Sequence, residues 1–240
     1  MSVAREIAQT FRPPAEDRHG PLVPLLVALT VLTGVVDAVS YLELGHVFVA
    51  NMTGNVIFLG FALAGASGLS PVASLIALAA FLLGALAGGR LGARHRAHRG
   101  HLLRAANAAQ AILIGAAVLL ALVAVEPPTR ATRYALTVLL ALGVQNAAAQ
   151  RLAVPDLTTT VLTRTLTGLA SEAGIVGGAG AHLGRRIVAI GAMLLGALIG
   201  GLLALHVAIA AALGAALAIV CATGLAVHLG SRAGGAWTRG

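Results

Sequence analysis

The chain has 240 residues, 58% of them hydrophobic and a further 30 glycine, with only 16 basic and 8 acidic side chains. Soluble domains are about 45–50% apolar with glycine counted and about 25% charged, so a mean hydropathy of +0.93 selects lipid as the solvent and excludes a large water-facing enzyme. Every basic residue is Arg, the net charge is +8, and the arginines fall between apolar runs, where positive charge sets membrane orientation; this placement argues against a nucleic-acid groove.

Residues 1–21 carry Arg5, Arg12 and Arg18 and no small-residue cleavage pattern, so a cytoplasmic tail leading into an uncleaved first helix is expected. Eight apolar segments follow, at 22–44, 47–66, 72–91, 105–125, 134–149, 157–175, 187–205 and 207–227. Most approach the roughly 20 residues that a helix needs to cross a bilayer. Ser70-Pro71 opens the third, with Ser at the cap and Pro at the first helical position, and Glu126-Pro127-Pro128 stops the fourth. The lone Cys221 rules out a disulfide framework and a cysteine metal site.

The arginines discriminate between topologies. If all eight segments cross, the N-terminus and the loop of Arg94, Arg96, Arg99 and Arg104 lie on opposite sides, against the positive-inside tendency. If the second and sixth segments enter and leave on one side, six crossings remain and both termini are cytoplasmic. Arg5, 12, 18, 90, 94, 96, 99, 104, 151, 185, 186, 232 and 239 then lie inside and only Arg130 and Arg133 outside, with Arg164 in a re-entrant segment. Local sequence agrees: Val47 to Asn55 is an extended run ending in polar residues, and Val154-Pro155-Asp156-Leu157 followed by three threonines precedes another short apolar stretch. Broken segments of this kind survive at membrane depth only where protein or a watery cavity covers the backbone.

An internal repeat divides the chain in the same way. Gly34-Val35-Val36-Asp37-Ala38 aligns with Gly143-Val144-Gln145-Asn146-Ala147, and Met52-Thr53-Gly54-Asn55 with Leu162-Thr163-Arg164-Thr165. The first half starts inside and the second outside, so the repeats are inverted, an architecture that recurs in transporters with the site near the midplane. The expected organisation is a tail at 1–21, membrane repeats at 22–125 and 130–227, and a cytoplasmic tail at 228–240. Gly84, Gly88 and Gly92, and Gly196 and Gly200, stand at small-residue spacing and read as helix-packing seams.

The run Gly34 to Asp37, the stretch Val49-Ala50-Asn51-Met52-Thr53-Gly54-Asn55, and Gln145-Asn146-Ala147 followed by Pro155-Asp156-Leu157-Thr158-Thr159-Thr160 resemble the YoaK family of bacterial inner-membrane proteins. The resemblance covers most of the chain and implies a multi-spanning membrane protein without an assigned substrate. Arg164 departs from the smaller or apolar residue expected beside Thr163.

Asp37 is the most informative residue, because a carboxylate inside a span is costly unless it faces a cavity or a partner, and such acids usually serve ion or proton pathways. Thr30, Thr33 and Tyr41 share its helical face; the alternative reading is a packing hydrogen bond to a neighbouring backbone. Asn146 is its repeat partner, with Gln145 beside it and Gln150 one turn on, suited equally to interhelical glue and to solute contact. Asn51, Thr53 and Asn55 at one break, and Asp156, Thr158 to Thr160, Thr163 and Thr165 at the other, are expected to cap half-helices. Two helix starts near midplane also favour an anion or polar solute and disfavour a bare cation. His95, His98 and His101 read as a solvated loop lacking the constellation of a metal site, and His46 with Glu43 reads as an interfacial pair.

The sequence thus predicts an all-α polytopic protein of the cell (inner) membrane, with six transmembrane helices and two re-entrant half-helical segments in two inverted repeats. The expected function is a secondary transporter or facilitator for a small polar or anionic solute, with proton coupling an option and without cofactor, metal or enzymatic activity. The solute or proton site would comprise Asp37, Asn146, Asn51, Thr53, Asn55, Thr160, Thr163 and Thr165. Its partners are the lipid bilayer and a small solute, not nucleic acid, and a homo-oligomer stays open. The competing expectation is a non-transporting membrane scaffold or assembly factor whose polar residues serve packing; a hydrated cavity reaching Asp37 and Asn146 separates the two.

Overall fold

The computed structural model describes residues 3–13, 17, 19–125, 127–155, 157, 162–171, 183–232 and 236–238. In chain order the helices are α1 (Val3–Phe11), α2 (Leu22–Glu43), α3 (Met52–Leu63), α4 (Pro71–Arg94), α5 (Arg99–Val123), α6 (Arg130–Leu140), α7 (Gly143–Leu152), α8 (Leu162–Ser171), α9 (Leu183–His206) and α10 (Ile209–Arg232). Five of them, α2, α4, α5, α9 and α10, are long and apolar enough to cross a membrane. The predicted segment at 134–149 is divided by a break at Ala141 and Leu142 into α6 and α7, neither of which spans alone at about 1.5 Å per residue.

Burial sorts these helices. Leu22, Leu26, Leu29, Leu32, Val35, Val36 and Val39 of α2 are fully enclosed, so α2 runs through the middle of the bundle. Leu82, Leu83 and Leu86 of α4, Leu119 and Leu122 of α5, Leu194 and Leu198 of α9, and Leu225 and Leu229 of α10 are exposed. In water such a surface would aggregate; in a bilayer it is the lipid-facing belt, while the helical backbone satisfies its own hydrogen bonds.

Two glycine seams hold the centre. A Cβ on Gly196 would strike the backbone of Val31, and one on Gly200 that of Val35; conversely, a Cβ on Gly34 would meet Met193 O and the backbone of Ala197. In the other half, Gly84 lies against Gly143 and Val144, Gly88 against Val144 and Ala147, and Gly143 against Phe81 O and Ala85 N. Small residues allow this backbone-to-backbone approach, and the dispersion contacts it creates replace the hydrophobic drive that lipid removes. The register of these contacts makes α2 and α9 run in the same direction, and α4 and α7 likewise. Gly100 against Ser231 and Asn107 Nδ2 donating to Thr223 Oγ1 at 3.4 Å instead set α5 and α10 antiparallel.

One end of the bundle gathers α1, the start of α5, the end of α7 and residues 236–238. Glu6 of α1 accepts the Gly184 amide at 2.8 Å, Arg99 donates to the carbonyl of Leu152 and lies 3.1 Å from His19 Nδ1, and Trp237 packs against Gly20 and Gly230. At the opposite end Ser70 caps α4 by accepting the Ala73 amide at 3.2 Å, with Pro71 at the first position. Thr129 there caps α6 by accepting from Thr132 at 3.2 Å.

Candidate functional site

The site begins where α2 stops. Gly45 (φ +101°) and His46 (φ +59°) turn the chain through left-handed conformations, which glycine adopts freely and histidine only with some strain. The chain then returns along α2 as an extended segment, 47–51, until α3 starts at Met52. Such a return exposes amides that helix formation does not satisfy, and Asp37 receives them: Oδ1 accepts from Val49 N and Ala50 N, both at 2.9 Å. The Val49 carbonyl accepts the Leu142 amide at 3.0 Å, so the gap between α6 and α7 is filled by backbone from the first half of the chain.

Asn55 fixes the same segment from the other side. Its Oδ1 accepts Phe48 N at 2.8 Å and its Nδ2 donates to Phe48 O at 2.6 Å. Phe48 stacks on Tyr41 at 5.2 Å between ring centroids and on Phe58 at 5.7 Å. The ring covers Gly54, where a Cβ would come within 2.7 Å of it, so glycine is required at that point of α3.

Below this cluster lies a cavity of about 780 Å³. Five residues expected from the sequence line it: Asp37 from α2, Asn51 and Thr53 from the start of α3, Asn146 from α7 and Thr163 from α8. Gln150 of α7 and Tyr41 of α2 line it as well. Asp37, 8% exposed, therefore holds the returning backbone through Oδ1 and also lines the cavity, with the Asn51 amide a further backbone partner of its carboxylate.

The remaining expected residues are placed differently. Asn55 is completely enclosed and bound to Phe48, outside the cavity wall, because its amide matches a backbone donor and acceptor pair. Thr165 is buried at 6% exposure and is not part of the wall. Thr160, with Asp156, Thr158 and Thr159, lies outside the described residues. Asn51 occupies the N-cap position of α3 but makes no side-chain capping bond, contrary to the capping expectation; its side chain is exposed at the cavity instead. Arg164 is exposed and is not on the wall.

The polar stripe expected along α2 divides. Thr30 and Thr33 donate to the carbonyls of Leu26 and Leu29, each at 2.9 Å, and are buried away from the cavity. Thr33 also accepts Gln145 Nε2 at 3.2 Å, which makes Gln145 a tie between α2 and α7. His46 meets the Tyr41 ring edge-on at 5.2 Å, and Glu43 makes no ion pair with it among the described residues. His98 caps α5 by accepting the His101 amide at 3.1 Å. Phe48, Phe81, Met52 and Met193, all on the cavity wall, escaped the sequence reading because an apolar residue in an apolar segment carries no signal of its own.

The apolar belt and buried polar centre define a multi-pass helical membrane protein. Residues 25–226 match the family described as a protein of unknown function, DUF1275, and the chain belongs to that family. It is similar to the UPF0700 transmembrane protein YoaK of Bacillus subtilis (strain 168), 32% identical over 149 residues, a match covering 62% of this chain. The matched stretch covers 65% of that protein, just under two thirds of its length. No solved structure matches the chain.

Proposed function

We propose that the protein is a secondary transporter or facilitator for a small polar solute, with Asp37 as the solute or proton site and no covalent step. One observation carries the reading: Asp37 and Asn146, from opposite halves of the chain, face one cavity of about 780 Å³. A scaffold that used these groups only for packing would close over them, since empty polar space inside a membrane protein is unfavourable. Of the polar and anionic solutes that the sequence allows, the polar class is retained. Arg164 stands outside the cavity wall, and the described wall residues include an acid without an Arg or His.

The membrane arrangement that goes with this function has six crossings, counting α6 and α7 as one, with α3 and α8 re-entrant. Helix direction supports it. Antiparallel α5 and α10 require an odd number of reversals between them, which α8 would make even if it crossed. With α6 and α7 counted as one crossing and α8 as none, the parallel course of α2 and α9 is consistent with a re-entrant α3. α3 measures about 18 Å at 1.5 Å per residue against a hydrocarbon core of roughly 30 Å.

Inverted repeats are the second element of the proposal. Gly34 of the first repeat meets Gly196 of the second as Gly143 of the second meets Gly84 of the first, and Val35 meets Gly200 as Val144 meets Gly88. The two seams are the same contact made twice with the halves exchanged. Both termini and the arginine-rich end then face the cytoplasm, and 22–125 and 130–227 are the repeats.

The test is reconstitution into liposomes and a screen of radiolabelled polar solutes for flux that Asp37→Asn abolishes. Folded wild-type protein that carries none of them and gives no solute-dependent proton movement would transfer the polar centre to the scaffold reading.

A further inference from the structure

We propose that the cavity lined by α2, α3, α4, α7, α8 and α9 binds an organic monocation with an apolar body, held by the Asp37 carboxylate and by the rings of Tyr41, Phe48 and Phe81. The proposal replaces the small polar solute of the transport reading by a cation with an apolar body and rests on that reading only for the word substrate; the binding site stands by itself.

Charge sets the sign. Among the described wall residues Asp37 is the only acid, and none is Arg or His. An anion there would meet a carboxylate with no base to offset it, in surroundings where water screens little. The N-terminal end of α3 contributes the equivalent of about half a positive charge, less than the full charge of the carboxylate. The amides of Val49 and Ala50 on Oδ1 fix this carboxylate in place at the cavity wall.

Wall chemistry sets the rest. The whole chain has five Phe and two Tyr, and three of these seven rings line this one cavity. Aromatic faces carry the negative end of a quadrupole and attract ammonium-type cations within about 6 Å. Met52 and Met193 add polarizable, adaptable surface. Among the described residues no group of three or more acid, His or Cys side chains is gathered to hold a metal ion. The volume of about 780 Å³ falls within the roughly 300–1,000 Å³ of sites that enclose a drug-sized molecule.

The experiment uses two probes of one shape and opposite charge, tetraphenylphosphonium and tetraphenylborate, measured by equilibrium binding to the full chain in nanodiscs against empty nanodiscs. Saturable one-to-one binding of tetraphenylphosphonium alone is expected, weakened at least tenfold in Asp37→Asn. Gln150→Lys places a cation on the exposed part of the wall without touching Asp37 or its hydrogen bonds, and should also abolish binding; it decides the matter if Asp37→Asn does not fold. Binding of both probes, of tetraphenylborate alone, of neither, or of tetraphenylphosphonium undiminished in the folded variants overturns the proposal. A parallel flux assay in liposomes separates the two readings. Cation binding without flux removes transport and leaves the cation site, whereas Asp37-dependent flux of a neutral or anionic solute without cation binding does the reverse.

Discussion

The Val49 amide donates to Asp37 Oδ1 at 2.9 Å, across twelve positions of chain and a reversal of direction. One residue therefore has two tasks: its Oδ1 holds the returning backbone at Val49 and Ala50, and it also lines the cavity. Substitutions at position 37 should separate them.

Asp37→Asn retains an Oδ1 that accepts both amides and removes only the charge. Abundance and melting temperature should stay close to wild type while binding and flux are lost, since a charge kept inside a membrane for function is a cost to the fold. Asp37→Ala strands two buried amides at about 1–3 kcal/mol each and should lower the melting temperature measurably. Size-exclusion profiles after graded heating report both; an Asn variant as unstable as the Ala variant would make position 37 structural.

The glycine seams predict a position-specific sensitivity. Gly143→Ala and Gly196→Ala drive a methyl group into facing backbone and should destabilise by about 1–3 kcal/mol, the usual cost of overpacking. Gly89→Ala, Gly115→Ala and Gly191→Ala meet nothing within 4 Å and should be neutral or slightly stabilising, as helical glycine gives way to alanine. The same heating assay checks both sets, and equal behaviour in the two would remove the seams from the account.

Topology is open to chemical labelling in a Cys221→Ser background. His98→Cys should react with a membrane-impermeant maleimide only from the cytoplasmic side, and Ser70→Cys and Pro127→Cys only from outside. Labelling of position 98 from outside would undo the six-crossing arrangement.

Asn55→Ala should act on the site without being part of its wall. Loss of both Phe48 hydrogen bonds frees the ring that stacks on Tyr41, so ligand affinity should fall several-fold while Asn55→Asp, which keeps the acceptor for Phe48 N, loses less. Thr53 and Thr163 line one cavity although 110 positions separate them. Cysteines at both should be joined by a short bifunctional thiol reagent, and cross-linking that is absent in folded protein would detach α8 from the site.

What the sequence discloses and what it conceals follow from the range of the interactions involved. The apolar runs, Ser70-Pro71 and the glycine spacing are local, and they announce the helices and their close contacts. Asp37, Asn146, Asn51, Thr53 and Thr163 stand out because a polar residue in a hydrocarbon setting has to be explained. The break at Ala141 and Leu142 has no Pro and no polar residue to betray it; its amide is satisfied by Val49, nearly a hundred positions earlier, and only the folded chain reveals that partner. Asn55 is polar and near the site, yet its amide is consumed by the Phe48 backbone, an outcome that spacing alone does not distinguish from ligand contact. Phe81 and Met193 were invisible for the opposite reason, being apolar among apolar neighbours.

The backbone-to-backbone contact of Gly34 with α9, and of Gly143 with α4, has a mechanical consequence. Two helices touching through bare main chain have no side-chain layer to slide on, so α2 with α9 and α4 with α7 behave as two stiff girders. Under the transport proposal, opening of the central chamber is expected along the line between the girders, where contacts made by side chains and by the non-helical segment 47–51 take up the movement. A substitution that wedges this line should then block flux without touching the carboxylate.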